Sequence, residues 1–100
     1  MDTRFRRRSK ARDPALVKRL LLEGRKAWRL GKAKKAQRYW SQSLQLATDL
    51  AMPYDQARAH AAMAEARVAD WQEHYRAARE LFTRLGAVRD LRLLGDLPAQ

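Results

Sequence analysis

The sequence contains no cysteine and no isoleucine, only three valines, four glycines and three prolines, and no strongly apolar run longer than Leu20 to Leu22. Each shortage excludes something. Without cysteine there is neither a disulfide nor a thiolate-ligated zinc, so nothing points to an oxidising compartment. Three consecutive leucines fall far short of the roughly 20 residues that a membrane span needs. Val17, Val68 and Val88 are the only β-branched aliphatic residues, and no window alternates apolar with polar side chains, which leaves no candidate strand. Gly24, Gly31, Gly86 and Gly95 stand alone rather than in a phosphate-cradling loop. A chain of 100 residues buries only about 60–65% of its unfolded surface, which leaves room for one small domain and none for a large catalytic cleft.

What is abundant is positive charge: 22 Lys and Arg against 11 Asp and Glu, a net +11. The excess is uneven. It amounts to +4 in residues 1–13, +7 in residues 14–50 and zero in residues 51–100. Sixteen arginines beside eighteen alanines would also follow from GC-rich codon bias, but such bias does not place the whole excess in one half. That asymmetry is the footprint of an anionic partner or of a solvated tail. The basic start, Arg4, Arg6, Arg7, Arg8, Lys10 and Arg12, is followed by no apolar core because Lys18 and Arg19 interrupt the run, so it does not read as a secretory signal. An organellar transit peptide stays open, with Asp2 and Asp13 against it. Residues 1–12 are expected to be a basic flexible arm, and the expected location is the cytoplasm.

The periodicity predicts an all-α fold. Asp13 as N-cap and Pro14 at the first helical position open a helix that ends near Leu30, with Gly31 beyond it and Val17, Leu20, Leu21, Gly24, Ala27 and Trp28 as its stripe. A second helix runs from about Lys32 to Leu50 over Ala33, Ala36, Trp40, Ser43, Leu44, Ala47 and Leu50. A third, from Pro53 to about Val68, carries alanine on several sides. The fourth opens on Asp70 with Glu73 three residues on, the pattern of a capping box, and buries Trp71, Tyr75, Ala78, Phe82 and Leu85 before Gly86. A short fifth covers about Val88 to Leu94.

A shift of 35 residues superposes the sequence on itself: Thr48-Asp49-Leu50-Ala51 meets Thr83-Arg84-Leu85-Gly86, Tyr39-Trp40 meets His74-Tyr75, Gly24 meets Ala59 and Trp28 meets Met63. A period of about 34 residues made of two helices resembles the tetratricopeptide family. Leu20, Gly24 and Ala27 stand at its large and close-packing positions, Gly31 at its turn, and Ala36, Trp40 and Ser43 at the small, aromatic and small positions of its second helix. The stretches Leu50 to Ala66 and Glu80 to Ala87 are similar to repeat arrays that end many large bacterial regulators, signalling ATPases and cyclases. The second unit departs from the pattern, with Trp71 where the family prefers alanine and Ala66 at the turn glycine. The resemblance implies antiparallel hairpins in residues 13–97, with units at about 16–50 and 51–86 and a capping helix at about 88–94. Two units are fewer than the three or so that solenoids normally need, so Leu91, Leu93 and Leu94 are expected to cap the stack, or the chain to self-associate or to be the tail of a longer protein.

No constellation for chemistry emerges. His60 and His74 fall on different predicted helices with no third ligand at a suitable spacing, so neither a metal nor another cofactor is expected and both read as exposed or half-buried surface histidines. Ser9, Ser41 and Ser43 have no neighbouring base, and the acidic residues read as caps or solvated charges, so the chain is not expected to be an enzyme. The aromatic residues read as core, with Trp28 the ambiguous one, because the resemblance implies that it faces the concave groove. The resemblance implies a non-catalytic module for protein–protein interaction, with a concave groove lined by Lys18, Leu21, Arg25, Trp28 and Arg29 of the first unit and Gln56, His60 and Met63 of the second. Lys18, Arg25 and Arg29 share a helical face that suits an acidic segment of a regulatory partner. Lys34, Lys35 and Arg38 crowd the start of the second helix, where the dipole disfavours cations by some tenths of a kcal/mol each, and so form a second expected anion site. A rival reading is a small basic protein that binds RNA or DNA through the arm and the first hairpin. Adsorption to a membrane surface is not expected, because no amphipathic helix exposes aromatic residues.

Overall fold

A computed structural model describes residues 12–95, and among them every regular element is a helix: α1 (Pro14–Arg29), α2 (Ala33–Asp49), α3 (Pro53–Glu65), α4 (Trp71–Leu85) and α5 (Val88–Leu94). Helices α1 and α2 form one antiparallel hairpin, α3 and α4 a second, and α2 packs on α3 to join them. The fold is the all-α one that the periodicity predicts. Residues 1–11, most of the basic arm, and residues 96–100 lie outside the described part.

Local chemistry sets the helix ends. Asp13 Oδ1 accepts the Ala15 N–H at 2.9 Å and Pro14 follows, as expected for the start of α1. The four longer helices all close in the same way. The amide five residues along returns to the buried last turn: Lys32 to the Ala27 carbonyl, Met52 to Ala47, Val68 to Met63 and Ala87 to Phe82, at 2.8–3.3 Å. That closure needs a left-handed residue. Gly31 and Gly86 supply it without strain, whereas Ala51 at φ 54° and Arg67 at φ 57° adopt it against the bulk of their Cβ atoms. Here the expected boundaries need correction. Helix α3 stops at Glu65, because Arg67 has already turned left-handed before Val68 is reached. Asp70 is the N-cap of α4, but its carboxylate caps no amide and lies 3.5 Å from His74 Nε2, so the capping box does not form.

The core of the first hairpin is built on a close approach. Trp40 is 3% exposed and lies flat enough on Gly24 that an added Cβ would come within 2.3 Å of Nε1 and 2.5 Å of Cδ1. Around this contact Leu21, Ala27 and Ala36 join Ala59, Ala62 and Met63 of α3 in one buried cluster. Ser43 adds a buried bond, its hydroxyl donating to the Val17 carbonyl at 2.9 Å. A smaller cluster of Ala57, Ala78 and Phe82 is covered by Leu91 and Leu94 of α5. Four expected core positions are surface instead: Ala33 is exposed, as are Trp28 (44%), Leu85 (44%) and, on the cap, Leu93 (71%). Each lies at the edge of its stripe, where no further helix covers it.

Two stability predictions follow from these geometries. Gly24→Ala gains about 1 kcal/mol of helix propensity but must push the Trp40 indole aside, for a net loss of about 1–3 kcal/mol and a thermal midpoint lower by roughly 5–15 °C on circular dichroism. Ala51→Gly relieves the left-handed strain at an exposed turn, and the same measurement should show the midpoint rising by a few degrees, about 0.5–1 kcal/mol.

Candidate functional site

Lys18, Arg25 and Arg29 of α1 meet two different fates. Lys18, itself largely exposed, reaches across to α3, where its Nζ lies 3.2 Å from Asp55 Oδ1, whose side chain is 7% exposed. That bond satisfies a buried carboxylate on α3, so Lys18 is committed to the fold rather than to a ligand. Arg25 and Arg29, one turn apart, make no ion pair among the described residues. Both line a hollow between α1 and α3, together with Trp28, Trp40, Ala62, Glu65 and Ala66. Trp28 forms its exposed wall, with its ring 6.2 Å from Trp40 and tilted by 45°.

Arg25 and Glu65 also border a second hollow beside the first, where Arg58 and Ala61 of α3 meet Asp90, Leu93 and Leu94 of α5. Asp90 is already engaged there: the Tyr54 hydroxyl donates to its two oxygens at 3.0 and 3.1 Å. Burial, and then that carboxylate, hold the Tyr54 phenol above its ordinary value. Tyr75 donates to the Gly95 carbonyl at the far end of α5. Two tyrosines thus fix the short helix that bounds this surface.

The expected groove residues are therefore only partly brought together. Arg25, Trp28 and Arg29 stand as a set. Leu21 and Met63, 1% and 2% exposed, belong to the core and have no surface to offer a partner. Gln56 donates its Nε2 to Thr48 Oγ1 at 3.1 Å, across toward the end of α2. His60 faces α4, its Nδ1 2.8 Å from Nδ1 of His74. Besides Ala61, the residues of α3 that border the hollows, Arg58, Ala62 and Glu65, sit on a neighbouring face of the helix. Their spacing of four and three residues was a usable signal, but alanine on every side of α3 gave no hydrophobic contrast with which to fix its rotation.

The second expected site is split as well. Lys35 lines a shallow cleft at the α1–α2 turn with Lys26, Lys32, Glu23 and Tyr39, whereas Lys34 and Arg38 are simply exposed. The start of α2 has no side-chain cap and no acidic residue in its first turn, so the positive dipole end and these cations are unrelieved.

The two histidines are half-buried, as one of the two expectations had it, but they are not apart: they meet across the helix pair. Their ring centroids are 5.1 Å apart, which exceeds the nitrogen separation by about twice a ring radius, so the two Nδ1 atoms point straight at each other along the line of the rings. One proton fits on that line. A metal ion would need the two lone pairs to converge from the side, and among the described residues no three ligating groups come together.

Among the described residues no helix is long and apolar enough to cross a membrane. In comparison with known proteins, no family model matches this chain, and no curated protein or solved structure is significantly similar to it.

The division of the α1 cations is testable by substitution. Lys18→Ala leaves the buried Asp55 carboxylate without its partner and should lower stability by about 1–2 kcal/mol. Arg25→Ala should fall within about 0.5 kcal/mol of the parent, as expected for a surface position. Urea denaturation of the two variants measures both.

Proposed function

We propose that this chain is a non-catalytic, tetratricopeptide-like interaction module that binds an acidic segment of a protein partner, in the cytoplasm and within a regulatory assembly. The observation that carries the reading is the pair Arg25 and Arg29, exposed, without ion pairs among the described residues, and flanking an exposed tryptophan over a hollow. Guanidinium groups one helical turn apart offer two bidentate carboxylate sites, and the Trp28 face beside them accepts the apolar side chain of a neighbouring ligand residue. The Gly24–Trp40 approach and the 35-residue self-similarity of the sequence support the family resemblance. Glu65 at the rim adds selectivity, since it disfavours an unbroken run of acids beside Ala62.

A second reading rests on a different surface. Lys26, Lys32, Lys34, Lys35 and Arg38 form an exposed basic region around the start of α2, which suits the phosphates of RNA or DNA and would draw on the arm before residue 12.

Affinity capture from the source cell with the tagged full chain, with and without nuclease, separates the two. On the first reading a defined protein stays bound after nuclease, is lost with Arg25→Glu/Arg29→Glu, and survives removal of residues 1–11. Lys34→Glu/Lys35→Glu/Arg38→Glu should leave that capture within about twofold, since these charges lie away from the hollow. Loss of all capture on nuclease treatment contradicts the protein-partner reading and supports the nucleic-acid one.

A further inference from the structure

The histidine pair is tied to neither reading. His60 lies in the middle of α3 and His74 in the first turn of α4, and both are half-buried. Their Nδ1–Nδ1 bond at 2.8 Å is one of the polar links between the two helices of the second hairpin. The outer nitrogen of His74 faces Asp70, with Nε2 3.5 Å from Oδ1. That carboxylate accommodates a proton on Nε2 and so orients the ring. The surroundings contribute little else. The charge that acts on His60 is that of His74. Arg67, on the turn before α4, is stacked on Trp71 at 4.1 Å from the ring centroid. Lys18 of α1 and Asp55 of α3 are bonded to each other. No charged residue of α2 makes an ion pair with either imidazole among the described residues.

We propose that His60 and His74 form an acid-sensitive latch between α3 and α4: a single proton on the line between their Nδ1 atoms bonds the helices, and a proton on each Nδ1 replaces the bond with repulsion. The geometry requires the alternation. With one proton, one Nδ1 donates and the other accepts, whether the donor ring is neutral or an imidazolium held by Asp70. With two, both nitrogens are donors aimed at each other at a distance that leaves neither an acceptor. Burial, and then the neighbouring imidazole, push His60 down to about 4 from the ordinary 6.5, in agreement with this picture. The sign of the stability effect is fixed. Between pH 6.5 and about 4 the unfolded chain binds a proton at residue 60 that the folded chain refuses, so stability falls as the pH falls through that window and levels off below it. Neutral pH keeps the latch closed.

The test is an NMR titration of the imidazole resonances of the full chain from pH 8 to 3.5, paired with thermal unfolding over the same range for the parent, His60→Gln and His74→Gln. The latch requires the His60 imidazole to titrate near pH 4. It also requires the parent to lose about tenfold or more in folding equilibrium constant, relative to His60→Gln, between pH 7 and pH 4. A His60 imidazole that titrates near the ordinary 6.5 would overturn the proposal, as would parent and His60→Gln curves that run parallel. If the variants do not fold, the titration of the parent alone decides.

Discussion

Everything in the first hairpin depends on how closely α1 and α2 approach at Gly24. An indole as large as that of Trp40 can be buried between two helices only if one of them has no side chain at the contact, and Gly24 meets that condition with no room left for a methyl group. The Nε1 hydrogen of Trp40 has no acceptor among the described residues, so this contact is held by shape and not by a hydrogen bond. From it follow the positions of Leu21, Ala27 and Ala36 inside, and of Arg25, Trp28 and Arg29 on the next turns outside. The basic face and the core are two consequences of one helix rotation.

The second hairpin is held differently. It has no glycine–tryptophan contact. It relies on small alanines, on Phe82 covered by α5, on two tyrosine hydroxyls that fasten α5, and on the histidine pair. Alanines pack closely but bury little area each, so polar links carry a larger share of the specificity here than in the first hairpin. Charge follows the same division: within residues 14–100 the surplus of positive charge lies with the first hairpin.

Much of this was legible in the sequence where one residue type has one physical use. Asp13-Pro14 marked the start of α1, Gly31 and Gly86 marked left-handed turns, and the stripe through Ala36, Trp40, Ser43 and Ala47 gave the buried face of α2. The stop of α3 was not legible, because Arg67 takes a conformation that its type disfavours and only the packing of Val68 and Met63 demands it. The rotation of α3 was hidden by alanines, and with it the roles of Gln56, His60 and Met63. Asp70 and Glu73 matched a capping box in spacing, yet His74 one turn along competes for the same carboxylate. The meeting of His60 with His74 depends on tertiary placement across fourteen positions, which no local pattern encodes.

The central claim is that one turn of α1 presents Arg25, Trp28 and Arg29 to a ligand while Trp40 stays locked beneath them. The most direct measurement is an indole and guanidinium NMR titration of the full chain with a synthetic peptide of alternating glutamate and leucine. The account predicts saturable shifts at Trp28 Nε1 and at the Arg25 and Arg29 side chains, with Trp71 unmoved and the Trp40 indole still protected from exchange. Shifts confined to Lys34, Lys35 and Arg38, or a Trp40 indole that exchanges as freely as that of Trp28, would contradict it.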